Sequence, residues 1–410
     1  MNVPFRSVAD LRKARMVRSM KLWLVPLLIM LPTAASIGRP LPPVSSVDAA
    51  VHRVMTKTCA KGLALAIIDR GQVRYVQAYG VRNAGNDPLR TDTVMYGASL
   101  TKVVFAYSVL QLVDQGKLAL DTPLASYLDK PLPDYDTEAI YPDKYGPYRD
   151  LANDPRWKQI TARMVLTHST GFANFWFIEP DQKLRIHFKP GSRYSYSGEG
   201  MSLLQFVIEN GRKDVGLGLD LGALTQTNFD RLGMTRTSLQ WRPDFRPNLA
   251  DGFDDKGEVV AHDERSKVRV AGSMDTTIAD LSKFVAALTR HDGLSAASYA
   301  EMLKPQLHIG TATQFPNFGP ELPLDRQRRD LFAGLGLVVF KGPQGAGFYK
   351  GGHDGQTANT MVCIERSRRC VLILSNDVRA EAGFAQLVRF VLGDTGVPFN
   401  WEYGDRAGKS

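Results

Sequence analysis

Residues 96–113 read YGASLTKVVFAYSVLQLV, with Ser99 three residues ahead of Lys102 and an almost wholly apolar run behind it. From Val103 to Val113 only Ser108 and Gln111 are not apolar, so a helix here is hydrophobic all round and is expected to be buried. Lys102 opens that helix, one turn from Ser99. An ammonium at the mouth of a buried helix must be paired or give up its proton, because desolvation disfavours the charged form. A lysine of that kind acts as a base. Ser99 stands where a loop turns into the helix, and the unpaired N–H groups of a helix N-terminus favour an alkoxide or oxyanion. Lys102, on the same face, is placed to take the hydroxyl proton. A plainer reading of the same spacing is a capping serine followed by a lysine that snorkels to solvent.

The flanking sequence sets the fold class. In GLALAIIDRGQVRYVQAYG (62–80) two β-rich runs surround a turn at 69–72, which predicts an antiparallel hairpin. Strand patterns return only at 334–340, 347–355, 359–365 and 370–376, and a helical pattern, AEAGFAQLVRFVLG (380–393), follows them. An amphipathic helix at about 47–55, started by Ser45 or Ser46, precedes the first strand. The middle of the chain is helix and loop: GMSLLQFVIEN (200–210) and TTIADLSKFVAALTR (276–290) carry helical periodicity, with Ile278, Leu281, Phe284, Val285 and Leu288 on one face of the second. A Pro- and Tyr-rich stretch at 130–158 has weak periodicity, as do loops that border clefts and loops that only cross a surface.

This order predicts an α/β (α+β) fold: an antiparallel sheet flanked by N- and C-terminal helices, plus an inserted helical subdomain beside it. The sheet part is expected at 44–96 and 333–395 and the helical part at 97–332, with 396–410 as a tail. A cleft between the two parts is where a site is expected.

At 410 residues and 44% hydrophobic content, the chain can bury a large core. Its net charge of +9 is concentrated at the start, where residues 1–35 hold six Lys or Arg and only Asp10 against them, so +4 belongs to the rest. No basic cluster is interleaved with aromatics, and RSRR (366–369) reads as a solvated turn, which argues against a nucleic-acid partner. The apolar run from Leu22 to Pro32 is too short to span a bilayer comfortably, and small residues follow at Thr33, Ala34 and Ala35. Residues 1–35 are therefore expected to be a secretory signal peptide, followed by a Pro-rich linker at 36–43 and an exported, periplasmic or secreted domain. An uncleaved anchor is the alternative, and the membrane would then be a partner only through that segment.

There are three cysteines. A tight hairpin over MVCIERSRRCVLIL (361–374) sets Cys363 and Cys370 opposite each other, as a disulfide or as two inert thiols; Cys59 is left over. The spacings do not resemble a zinc site, and there is no H-E-x-x-H, G-x-S-x-G or P-loop pattern.

Ser99-x-x-Lys102 matches the S-x-x-K signature of penicillin-interacting serine enzymes. The chain as a whole resembles the serine β-lactamase-related group of class C β-lactamases, DD-peptidases and family VIII-type esterases. GVRNAGNDPLRTDTVMYGASLTK (80–102), MVLTHSTGF (164–172), PGSRYSYSGEGMSLL (190–204) and VAGSMDTTIADLSKF (270–284) each resemble a segment of that family, and the likeness runs from about 44 to 395.

The resemblance implies an acyl-enzyme at Ser99, with Lys102 and Tyr196 managing protons; Tyr194 is the rival tyrosine. It implies that His353 and Gly355 of the KGGHDGQ stretch bind substrate and that the N–H groups of Ser99 and Gln356 form the oxyanion hole. One departure stands out: the family's Y-x-N motif has Gly198 where asparagine is expected, with Glu199 next. His168 is given a structural role. No cofactor and no metal are implied. The expected partner is a small-molecule or peptidoglycan-derived ester, β-lactam or D-amino-acid peptide, and the fold alone does not choose among them. A sensor of cell-wall fragments that is acylated without turnover is the alternative function.

Overall fold

Strand β1 (Gly62–Asp69) is apolar at almost every position because both of its faces are covered. Side chains alternate across a strand, and here Ala64, Ala66 and Ile68 enter one core while Leu63, Leu65 and Ile67 enter a second. A computed structural model of the chain describes residues 40–141 and 143–404. The expected signal peptide lies outside the described residues. From Leu41 onward the described chain forms one compact unit.

β1 turns through Arg70 and Gly71 into β2 (Gln72–Gly80), an edge strand with mostly exposed side chains. The sheet is completed by β3 (Leu307–His308), β4 (Leu331–Ala333), β5 (Val338–Gly342), β6 (Gly345–His353), β7 (Ala358–Ile364) and β8 (Arg369–Ser375). Its order is β2-β1-β8-β7-β6-β5-β4-β3, antiparallel throughout, so the N-terminal hairpin is zipped onto the last strand. Within the β7–β8 hairpin Cys363 faces Cys370 in register, and the two are joined as a disulfide with Cα atoms 4.1 Å apart.

One face of the sheet packs under α1 (Val44–Thr58) and the C-terminal helix Phe384–Leu392. The other face packs against the inserted part, whose longer helices are α2 (Thr101–Asp114), α3 (Gly198–Asn210), α4 (Leu221–Arg231), α5 (Ile278–Thr289) and α6 (Ala296–Leu303). α2 is buried along nearly its whole length, as its all-round apolar sequence requires. Numbering in chain order, Phe384–Leu392 is α7 and Phe399–Tyr403 is α8.

The boundaries at the end of the chain differ from expectation. The expected tail begins inside folded structure: α8 buries Phe399, Trp401 and Tyr403 in the second core, because three aromatic rings in five residues have apolar surface to cover. The sheet also draws β3 and the start of β4 from 97–332, the part expected to be helix and loop.

Candidate active site

Ser99 is delivered by a turn that is tied down on every side. Gly97 N–H donates to Met274 O at 2.8 Å, Asn359 Nδ2 donates to Tyr96 O at 3.0 Å, and Thr101 Oγ1 donates to Ala98 O at 2.5 Å. These ties hold Ala98 at φ 45°, a left-handed conformation that costs an alanine about 1 kcal/mol. A short 3-10 turn, Ala98–Leu100, then leads into α2 and leaves Ser99 half-buried at the floor of a cleft of about 790 Å³.

Three expected residues meet at one oxygen. Lys102 Nζ lies 3.1 Å from Ser99 Oγ, and the Tyr196 hydroxyl donates to the same oxygen at 2.7 Å. Lys102 is 1% exposed, its Nζ also contacts Ala271 O, and no carboxylate pairs with it among the described residues. Burial, helped by the charge of Lys350, holds its pKa well below the ordinary lysine value, against a smaller upward pull from Glu402. Tyr196 is buried and its pKa is raised, chiefly by desolvation, so it stands as a neutral hydroxyl. The rival Tyr194 is spent elsewhere, its hydroxyl donating to Gln314 Oε1 at 2.9 Å.

Tyr196 is supported from below by His168. The rings lie 4.4 Å apart at 33°, and His168 Nδ1 accepts the Ser197 N–H at 3.1 Å. Burial and the charges of Lys102 and Lys350 depress the His168 pKa, so the ring stays neutral against the tyrosine and touches no reacting atom.

At the KGGHDGQ stretch (350–356) the structure departs from the expected residues. The Gln356 N–H donates to Asp354 Oδ1 at 2.9 Å and its side chain packs on Gly252, so this N–H is consumed inside the turn after β6. Gly355 approaches nothing, since a Cβ there would meet open space. His353 does border the cleft, with Nδ1 3.0 Å from Glu381 Oε1. Burial pulls its pKa down, but the hydrogen bond and charge of Glu381 and the charge of Glu402 outweigh that and raise it.

The glycine that matters here is Gly352, where a Cβ would lie 3.0 Å from the backbone nitrogens of both Ser99 and Leu100. Two residues earlier, Lys350 enters the cleft 5.0 Å from the centre of the Tyr196 ring, with Lys102 4.9 Å from it. Sequence reasoning passed over Lys350, although Lys350-Gly351-Gly352 has the lysine and glycine of a K-T-G pattern. Along β6, Glu365 N donates to Ala346 O and Asp354 N to Thr357 O, both at 3.1 Å, so even-numbered residues exchange hydrogen bonds with β7 and odd-numbered N–H groups point away from it. β5 pairs only with Gly345–Tyr349, which leaves the N–H of His353 outside the ladder, next to the Gly352 approach.

Gly198 opens α3 directly after Tyr196 and Ser197, and a Cβ there would sit 2.7 Å from the Phe175 ring. Its N–H donates to Asn174 Oδ1 at 2.9 Å. The place of a side chain at 198 is therefore taken by the Phe175 ring and the Asn174 carbonyl. Glu199 is buried and lines the cleft, and burial pushes its carboxyl up to about 7 against a downward pull from the N–H groups of Trp176 and Gly146. The 130–158 stretch contributes to the same wall through Lys144, Tyr145 and Gly146.

The last contributor is Glu402 of α8. Both of its carboxyl oxygens are buried without a hydrogen-bond partner, and its negative charge acts on Lys102, Lys350 and His353. Nothing local in the sequence signals this residue.

Comparison with known proteins places the chain in a family and a fold. A family model described as Beta-lactamase matches residues 47–392. Esterase EstB of Burkholderia gladioli is 30% identical over 176 residues, 36% of this chain and 40% of the relative. Acyltransferase calJ of Penicillium decumbens is 35% identical over 111 residues, 27% of this chain and 25% of the relative. The matches thus span about a quarter to two fifths of these relatives' lengths. A solved D-alanine carboxypeptidase, AmpC from Burkholderia cenocepacia, aligns over 85% of this chain and 98% of its own with a TM-score of 0.64 and 17% identity, a likeness of fold. Because the matched span runs from inside α1 to the end of α7 and covers most of the chain, the chain belongs to the β-lactamase family.

Proposed function

We propose that the chain is a serine hydrolase that works through an acyl-Ser99 intermediate on ester, β-lactam or D-amino-acid peptide carbonyls. The observation that carries this reading is the position of Ser99 Oγ between a depressed-pKa Lys102, 3.1 Å away, and the Tyr196 hydroxyl, 2.7 Å away. Neutral Lys102 takes the Ser99 proton as Oγ attacks the carbonyl carbon. The oxyanion is held by the Ser99 N–H and, in place of Gln356, by the His353 N–H that lies outside the ladder. Tyr196 gives its proton to the departing alkoxide or amine and recovers one from the Lys102 ammonium. A water then attacks the acyl carbon, giving its proton to the neutral Lys102 amine; the acyl–Oγ bond breaks, Ser99 Oγ takes that proton from the Lys102 ammonium, and the acid product leaves.

Gly198 in place of the motif asparagine argues for esters over β-lactams, and the esterase name of the Burkholderia gladioli relative supports the same ordering. Export is part of the proposal and is supported by the basic, then apolar, then small-residue order of residues 1–35. The test is the burst of p-nitrophenolate from p-nitrophenyl acetate by residues 36–410, beside Ser99→Ala. A burst near one equivalent followed by steady release, absent in the variant, supports the hydrolase. A burst without further release supports the sensor, and no Ser99-dependent burst rejects both.

A further inference from the structure

Glu199 is the one buried carboxylate on α3 that the proposed chemistry does not use. One helical face further along, Glu209 is fully engaged: Lys144 Nζ lies 2.5 Å from its Oε2, Gln205 Nε2 donates to its Oε1 at 3.0 Å, and the Tyr145 hydroxyl also contacts it. Glu199 has only neutral donors, the backbone N–H groups of Trp176 and Gly146. It is 2% exposed, Oε1 makes no hydrogen bond, and no cation pairs with it among the described residues. The other cations of that wall are occupied: Lys144 by Glu209, Arg269 by the Asp143 carbonyl, and Lys267 by the Asp143 carboxylate at 3.7 Å. The neighbouring Tyr148 hydroxyl is also buried without a partner.

The walls around this carboxyl are aromatic, and the backbone at Gly146 packs closely against it. A Cβ on Gly146 would overlap Glu199 Oε1 and lie 3.4 Å from Trp176 Cδ1, so only glycine lets the carboxyl lie this close to the backbone. The Phe175 ring covers Gly198 and stacks on Phe177 at 5.1 Å and 8°, while Phe177 stays 51% exposed at the rim. Glu199, Trp176, Phe175 and Phe177 all line the cleft that holds Ser99.

A desolvated carboxylate with no internal counter-charge is best satisfied by a cation that donates hydrogen bonds, and aromatic faces attract the same kind of group. We propose that this recess binds a primary ammonium group on the substrate, paired with Glu199, with the adjoining apolar part of the substrate against Phe175 and Trp176. This deepens the hydrolase reading and rests on it for the word substrate: the preferred esters or amides are those that carry a free amine. A neutral donor such as a hydroxyl would leave the charge of Glu199 uncompensated.

The test reads binding in a chain that cannot be acylated. Ser99→Ala is titrated at pH 8 with phenethylamine and with 2-phenylethanol, by calorimetry and by the fluorescence of the tryptophans, of which Trp176 lines the recess. The amine is expected to bind at least about tenfold more tightly than the alcohol, and Glu199→Gln in the same background is expected to bring the two within about twofold. Circular dichroism shows whether that variant is folded; if it is not, Glu199→Asp is read instead, with a weakened preference expected. Equal affinity for the two ligands, a preference that survives Glu199→Gln, or no binding of either overturns the proposal. A missing Ser99-dependent burst would instead overturn the hydrolase reading, so the two failures are distinct.

Discussion

The carboxylate of Glu402 occupies the space beside Gly351 that a side chain would fill. A Cβ built on Gly351 would overlap Glu402 Oε1 and come within 2.7 Å of the Tyr403 hydroxyl. A helix near the end of the chain thereby places a negative charge behind the strand that carries Lys350, and that charge raises the pKa values of both Lys102 and Lys350 against the lowering effect of burial.

The sign of that coupling sets the first prediction. Lys102 must be neutral to accept the Ser99 proton, so the acid limb of kcat/KM reports its deprotonation. Glu402→Gln removes a charge that favours the ammonium, and the acid limb is expected to move to lower pH by up to about one unit. An unmoved limb in a folded variant would remove Glu402 from the electrostatics of the site. Gly351→Ala acts on the same contact sterically and is expected to cost about 1–3 kcal/mol, read as a lowered urea midpoint.

A second prediction isolates the proton acceptor. Arginine keeps a positive charge at any working pH and cannot take the Ser99 proton. Lys102→Arg is expected to lower kcat/KM for p-nitrophenyl acetate by roughly 10³-fold, and Tyr196→Phe by roughly 10²-fold or more. If Lys102→Arg stayed within tenfold of the parent, the base would have to be sought elsewhere.

A third prediction concerns the missing asparagine. Gly198→Asn restores the family residue in name, but its Cβ would press on the Phe175 ring at 2.7 Å. The variant is expected to lose about 1–3 kcal/mol and to gain no β-lactam turnover. Adding Phe175→Ala should recover part of that loss, giving a coupling of about 1 kcal/mol in a double-mutant cycle; strictly additive losses would mean that Phe175 does not fill the place of the side chain.

Parts of this site were legible in the sequence because they depend on local spacing. The two β-rich runs of 62–80 around their turn mark the hairpin, and the serine-to-lysine interval followed by an almost wholly apolar run marks the nucleophile turn and its buried helix. Tyr196 was legible through the segment around it. Gln356 misled because a turn can consume its own N–H groups: Asp354 two residues back takes the hydrogen that an oxyanion would need. Glu402 had no legible signal, since its role depends on α8 folding back against a glycine 51 positions earlier in the chain. The same holds for Phe175 against Gly198. Contacts between segments far apart decide which polar groups remain unspent, and periodicity does not encode them.

The unspent carboxyl of Glu199 yields the last prediction. Burial raises its pKa from 4.5 to about 7, so between those values the folded chain holds a proton that the unfolded chain has released. Stability therefore falls as pH rises through that window, by about 1.4 kcal/mol per unit and roughly 3 kcal/mol in all for this one group, and is flat above it. Glu199→Gln, which cannot ionise, removes the slope. Its urea midpoint should match that of the parent near pH 4.5 and exceed it at pH 8, a gain that disappears toward acid pH. A variant less stable than the parent at pH 8 would mean that the carboxylate is satisfied within the chain, and would count against an ammonium being needed to satisfy it. A stabilised variant would identify Glu199 as a group held at a cost to the fold, as expected of a residue that serves binding.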